Sequence, residues 1–158
     1  MLSTISNRII SANERRLGVD LDYVRHIAKT NFGLLLRYGK IFGWLDPRRH
    51  AKAEAIAVAR LRAALALDCG TCVRAEVNLA RAAGMDGKTI AAILKGDMGS
   101  LSDDLVQVAA LTDSVIADRT DNADARNAVR AAFGDAALIE ICYAMSGAAM
   151  LPTLKRYS

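Results

Sequence analysis

Apolar residues recur at i, i+3 and i+4 along almost the whole chain, and nowhere do they alternate as a half-buried strand requires. Between residues 21 and 42, for example, Val24, Ile27, Ala28, Phe32, Leu35 and Leu36 form one such stripe. The composition agrees: alanine is abundant, aromatics make up 5% and there are two prolines, a mixture that favours helix over strand. With 53% hydrophobic residues in 158, the chain can bury a real core. The expected fold is all-α, a compact bundle of about seven or eight helices forming a single domain over residues 1–158.

Turn residues divide the pattern into elements. A first helix is expected over Thr4 to Arg16, ended by Gly18, and a second from Leu21 to about Phe42. Asp46-Pro47 has the form of a helix start, with Asp as cap and Pro in the first turn, and leads into a third helix from Arg48 to Leu67. Asp68 is a plausible cap for the next helix, which carries Cys72, Glu76, Leu79 and Ala83 and stops at Gly84. A short helix follows from Asp86 through Leu94, then a loop at Gly96 and Gly99. Ser102 opens a helix to about Asp118, Asn122 or Asp124 opens another ending near Gly134, and the last runs from Asp135 to about Met150, where Pro152 breaks the pattern.

Charge and cysteine usage narrow the class. Residues 1–62 carry 12 Lys/Arg against 5 Asp/Glu, while residues 63–158 carry 9 against 12. The basic residues are dispersed along helices with no nucleic-acid motif, so they read as a solvated surface and no nucleic-acid partner is expected. Three cysteines with one tight pair do not make a secreted disulfide framework. Met1 to Arg16 lacks a signal-peptide core, and the apolar run Ala136 to Leu151 contains Glu140 and is shorter than a membrane span. A soluble cytoplasmic protein without a membrane partner is the expectation.

The chemistry concentrates at Cys69-Gly70-Thr71-Cys72, between the alanine-rich run 63–67 and an amphipathic run from Val73 to Ala83. Two cysteines at this spacing at a helix start have the geometry of a redox dithiol. The unpaired N–H groups and positive dipole end stabilise a thiolate, which is the reactive species. The spacing also occurs as half of a zinc site, but no second ligand pair accompanies it, and His26 and His50 are single and far apart in sequence; no metal is expected. No phosphate-binding glycine loop is present, and no organic cofactor is expected. Cys142 reads as a small core residue, and Phe42 and Trp44 as core anchors.

The segment from Arg62 to Asp86, with Cys69-Gly70-Thr71-Cys72 followed by a helix that ends in Ala83-Gly84, resembles the AhpD-like alkylhydroperoxidase and carboxymuconolactone decarboxylase family. Lys88 to Leu94 and the tail Leu151 to Arg156 fit the same pattern. The resemblance is close over about residues 60–95 and looser elsewhere. It implies an all-helical, homo-oligomeric protein that reduces a peroxide or disulfide substrate through the two cysteines and is recharged by a thiol reductant protein. A subunit seam would fall on the Leu21–Phe42 helix or the C-terminal helix. By resemblance Cys72 attacks peroxide and Cys69 resolves the sulfenic acid, although helix electrostatics by themselves favour Cys69 as the thiolate.

Two positions depart from the family pattern. Where the family has a His four residues after the second cysteine, this chain has Glu76; where it has a Glu twelve residues before the first, this chain has Ala57. Glu76, one turn beyond Cys72, is either a replacement base or a surface acid paired with Arg74 or Arg81. Glu54 is the nearest upstream acid and reads as solvated, and Glu140 is either a polar stripe on a mostly buried helix or a buried acid that needs a partner. The alternative function is a non-catalytic or differently specialised member of the same family, a binding module or lyase.

Overall fold

A computed structural model describes the backbone of residues 2–44 and 49–157 and the side chains of residues 4–40 and 49–156. Every regular element among them is helical: α1 (Leu2–Leu17), α2 (Asp22–Thr30), α3 (Phe32–Trp44), α4 (Ala53–Ala66), α5 (Gly70–Ala82), α6 (Gly87–Lys95), α7 (Asp103–Thr112), α8 (Ala123–Phe133) and α9 (Asp135–Tyr157). A 3₁₀ turn at Met98–Ser100 and a π turn at Asp113–Asp118 complete the described chain. The all-helical class agrees with the periodicity.

The centre of the molecule is α4. Its residues Ala55 to Leu61, with Ala63 and Ala64, are all buried, so the helix is enclosed on every side. It packs most extensively on α9 and also touches α5, α6, α7 and the π turn. The main core gathers Ile56, Val58 and Leu61 of α4 with Ile93, Val108, Val129, Ile141 and Met145. A smaller cluster of Ile10, Val19, Leu21 and Val24 joins α1 and α2, with Leu35 and Tyr38 of α3 packed against it. Asn78 of α5 ties this unit to the rest by donating to the Leu17 carbonyl at 2.7 Å. Gly18 makes that approach possible: its φ is +65°, and a β-carbon there would lie 2.6 Å from the Asn78 amide nitrogen.

Several boundaries differ from the sequence expectation. The stretch expected as one helix from Leu21 to Phe42 is two, because Asn31 adopts an extended conformation (φ −157°) and its side chain and carbonyl both accept the Leu34 N–H. The third helix begins at Ala53 rather than Arg48; the Asp46-Pro47 start and the side chains of Phe42 and Trp44 lie outside the described residues. The expected helix to Asp118 loosens into the π turn at Asp113. The last helix does not stop at Pro152 but continues to Tyr157. Proline removes a single donor from such a ladder, and the far end is held by Arg156, which donates to the Leu67 carbonyl at 3.1 Å.

At its full length, α9 is long and apolar enough to cross a membrane by length and composition, which corrects the shorter run read from the sequence. Half of that window is buried inside the fold, on the face packed against α4. Ile139 and Tyr143 on its other face are exposed, as are Leu34 and Leu36 on α3, the two stretches in which a subunit seam was expected. Cys142 shares that outer face and is exposed, so it is not the core residue expected. The buried face is set by Ala137, Ile141, Ala144, Met145 and Ala148, and Cys142 falls outside their stripe.

Candidate functional site

The chain leaves α4 through Leu67, turns at Asp68 in the left-handed region (φ 48°), and enters α5 with Cys69 as the N-cap. Asp68 is therefore not the cap expected. The Cys69 sulfur takes that role and accepts the Cys72 N–H at 3.3 Å. This puts one sulfur among the unpaired donors that begin a helix. The two cysteines are joined as a disulfide, with Cα atoms 5.2 Å apart, inside the range such bonds need. Cys69 is half-buried, whereas Cys72 is 8% exposed and faces inward.

Glu76 follows one turn after Cys72 and is 3% exposed. It is not a surface acid, and neither Arg74 nor Arg81 is its partner. Arg60 of α4 reaches it in a two-pronged ion pair, Nε to Oε2 at 2.7 Å and Nη2 to Oε1 at 2.8 Å. Both carboxylate oxygens thus hold a guanidinium N–H, the planar fit that makes arginine the usual partner of a buried carboxylate. The sequence does carry a signal for Arg60: a charged residue inside the otherwise apolar run 55–61 has to find a counter-charge. Arg62 obeys the same rule, pairing with Asp113 at 2.6 and 2.9 Å and donating to the Ile93 carbonyl at 3.1 Å.

The remaining acids lie apart from this arrangement. Glu54, in the first turn of α4, is exposed. Glu140 is buried and finds the partner that a buried acid requires, but that partner is backbone: its carboxylate accepts the N–H groups of Arg49 at 3.1 Å, His50 at 2.9 Å and Ala51 at 2.8 Å. The Ala51 bond above all, with those from His50 and Arg49 and the nearby His50 side chain, outweighs burial and holds this carboxyl below the usual carboxylate range. Glu140 is a structural anchor for the segment leading into α4. The protein packed about Cys142 pushes its thiol up, away from thiolate. His26 and His50 are both exposed, and the described residues bring no three metal-binding side chains together.

The first turn of α5 also borders an open cleft of about 150 Å³, whose wall includes neither cysteine. Thr71, between the two cysteines, forms part of its wall together with Arg74 of the same helix. Asp20, Asp22 and Tyr23 approach from the start of α2, and Lys155 from the end of α9. Lys155 reaches this place because α9 runs on past Pro152, so the misplaced helix end concealed one wall of the cleft. No family model matches this chain, and no curated protein and no solved structure matches it.

Proposed function

We propose that this chain is a thiol–disulfide oxidoreductase of the AhpD-like kind, acting through Cys69 and Cys72. The observation that carries this reading is the disulfide across the first turn of α5, with the Cys69 sulfur seated as the helix cap. Reduced, a sulfur at that position gains from the helix start as a thiolate, and it is the more accessible of the two. Cys69 is accordingly the entry thiol and Cys72 the resolving one, the reverse of the roles implied by the family resemblance.

The reaction is an exchange. The Cys69 thiolate attacks one sulfur of an external disulfide, forming a mixed disulfide and expelling a thiolate. The Cys72 thiolate then attacks the Cys69 sulfur, closing the internal bond and expelling the second thiolate. The reverse sequence, run by external thiols, restores the dithiol. Disulfide exchange is favoured over peroxide reduction because a thiolate leaves without help, whereas an alkoxide leaving from a peroxide needs a proton donor. Glu76 is poorly placed to assist, since Arg60 occupies both of its oxygens. Its role is to position: it neutralises Arg60 and fixes α5 against α4.

The test begins with the reduced protein. Limiting iodoacetamide should label Cys69 first, with a thiol pKa below the ~8.5 of free cysteine. Stoichiometric hydroxyethyl disulfide should return the Cys69–Cys72 bond, read by peptide mass. In Glu76→Gln, exchange should escape the ~10²-fold loss that removal of a general base brings. The guanidinium released from its partner should lower the Cys72 thiol and speed its alkylation. A dithiol that no small disulfide oxidises would favour the alternative of a non-catalytic family member. Cys72 labelling ahead of Cys69 would restore the roles that the resemblance implies.

A further inference from the structure

The cleft beside Thr71 carries charges of both signs that do not satisfy one another. Arg74 and Lys155 line it, as do Asp20 and Asp22. Arg74, Lys155, Asp20 and Asp22 form no ion pair and no side-chain hydrogen bond among the described residues. Elsewhere Glu14 pairs with Arg25 and Arg62 with Asp113. Two cations and two carboxylates around one small space suit a ligand that is itself cationic at one point and anionic at another. The Tyr23 hydroxyl is already engaged with that of Tyr38 at 2.6 Å, so Tyr23 contributes its ring, and with Val19 it gives the cleft an apolar wall.

From this arrangement, and resting on the exchange function proposed above, we infer that the cleft seats one end of a zwitterionic low-molecular-weight disulfide of the amino-acid type. Its carboxylate lies against Arg74 and Lys155, its ammonium against Asp20 and Asp22, and its methylene against Val19 and Tyr23. The space admits an amino-acid-sized group, so the other half of the disulfide projects into solvent. The Cys69 thiolate bonds to the sulfur of the seated half, the ligand's own S–S bond breaks, and the free half leaves as a thiolate that takes a proton from water. Cys72 then closes the internal disulfide and releases the seated half as a second thiolate. One external disulfide becomes two thiols while the dithiol becomes a disulfide, and the balance needs no other reactant. Run backward, the same cleft receives the zwitterionic thiol that recharges the protein.

The experiment is stopped-flow oxidation of the reduced full chain by four probes: cystine, cystamine, dithiodipropionate and hydroxyethyl disulfide. The first is zwitterionic at each end, the second only cationic, the third only anionic and the last uncharged. Cystine should react about tenfold faster than hydroxyethyl disulfide, the factor that two partly exposed ion pairs supply, with the singly charged probes in between. In the Arg74→Ala/Lys155→Ala double variant, the ratio of the cystine rate to the hydroxyethyl disulfide rate should fall to that of cystamine. In Asp20→Asn/Asp22→Asn it should fall to that of dithiodipropionate. Because each variant is read as a ratio of two rates on the same preparation, a general loss of folding or thiol reactivity cancels. If all four probes react alike with the unaltered protein, the zwitterion site is wrong while the exchange function stands. If none oxidises the dithiol, both fall.

Discussion

Two stretches of backbone beside helix starts are tied by side chains from outside the usual capping set, and in opposite ways. Ahead of α4, a carboxylate brought in from the middle of α9 takes three backbone N–H groups at once. At the start of α5, a sulfur takes one. The carboxylate is buried and ionised, a full acceptor that leaves none of those three donors to water or to a ligand. The sulfur is a weak acceptor, half-buried, and leaves most of the helix start's electrostatic pull uncommitted. Backbone donors are a fastening in the segment that leads into α4, and at the start of α5 they are the feature on which the proposed thiol chemistry rests. The difference lies in how completely the acceptor consumes the donors it meets.

The sharpest way to break this comparison is to disturb the ion pair that links the two helices. Arg60→Ala leaves Glu76 buried without its partner, and should cost about 3–5 kcal/mol, the range for one half of a buried pair, read as a lowered urea midpoint at unchanged slope. A near-normal midpoint would mean that α5 is not locked to α4 by this contact. The next effect concerns the fastened segment ahead of α4. Glu140 is held below its ordinary range when folded, so it contributes stability that is fully present above the unfolded carboxylate value of ~4.3 and is lost as pH falls through the lower folded value. Melting temperature should therefore drop between about pH 5 and pH 3, and the drop should be smaller in Glu140→Gln, which starts from a lower plateau. Glu14, depressed chiefly by the Leu21 N–H and also by Arg25, shifts in the same direction and leaves part of the acid response in the variant. The smallest effect is the most diagnostic. Cys69→Asp exchanges a weak cap for a preferred one, and should stabilise the protein by about 0.5–1 kcal/mol against the reduced parent, while abolishing exchange. A destabilised Cys69→Asp would show that the sulfur's place at the helix start is not a capping position.

The fold class was legible because it depends on period, and a 3.6-residue stripe survives in the chain whatever surrounds it. Ends were legible where a residue acts locally. Asp86 caps α6 through the N–H groups of Lys88 and Thr89, Asn122 caps α8 through that of Ala125, and Gly96 ends α6 with a φ of 75°. They were not legible where a distant contact decides. Pro152 is carried through a helix whose tail is held by the Leu67 carbonyl, whereas Asn31 splits a continuous apolar stripe through a local bond to the Leu34 N–H that apolar period does not register. The candidate site divides the same way. The cysteine pair and its helix start could be read from spacing, since four adjacent residues carry them. The Arg60–Glu76 pair spans two helices, and the cleft draws on α2, α5 and α9 together; residues so far apart in the chain are related only by packing.

The disulfide encloses only two residues, Gly70 and Thr71. A loop so small restrains little of the unfolded chain: on an entropic scale it is worth about 2 kcal/mol, against nearly 5 for a loop of a hundred residues. Opening it therefore takes less than half as much from the fold as opening a long-range disulfide would. Under the exchange proposed above, oxidation state and conformational integrity are therefore only weakly coupled. A bond that staples a structure together and a bond that is exchanged make opposite demands on loop size, and the two-residue loop is consistent with the proposed exchange.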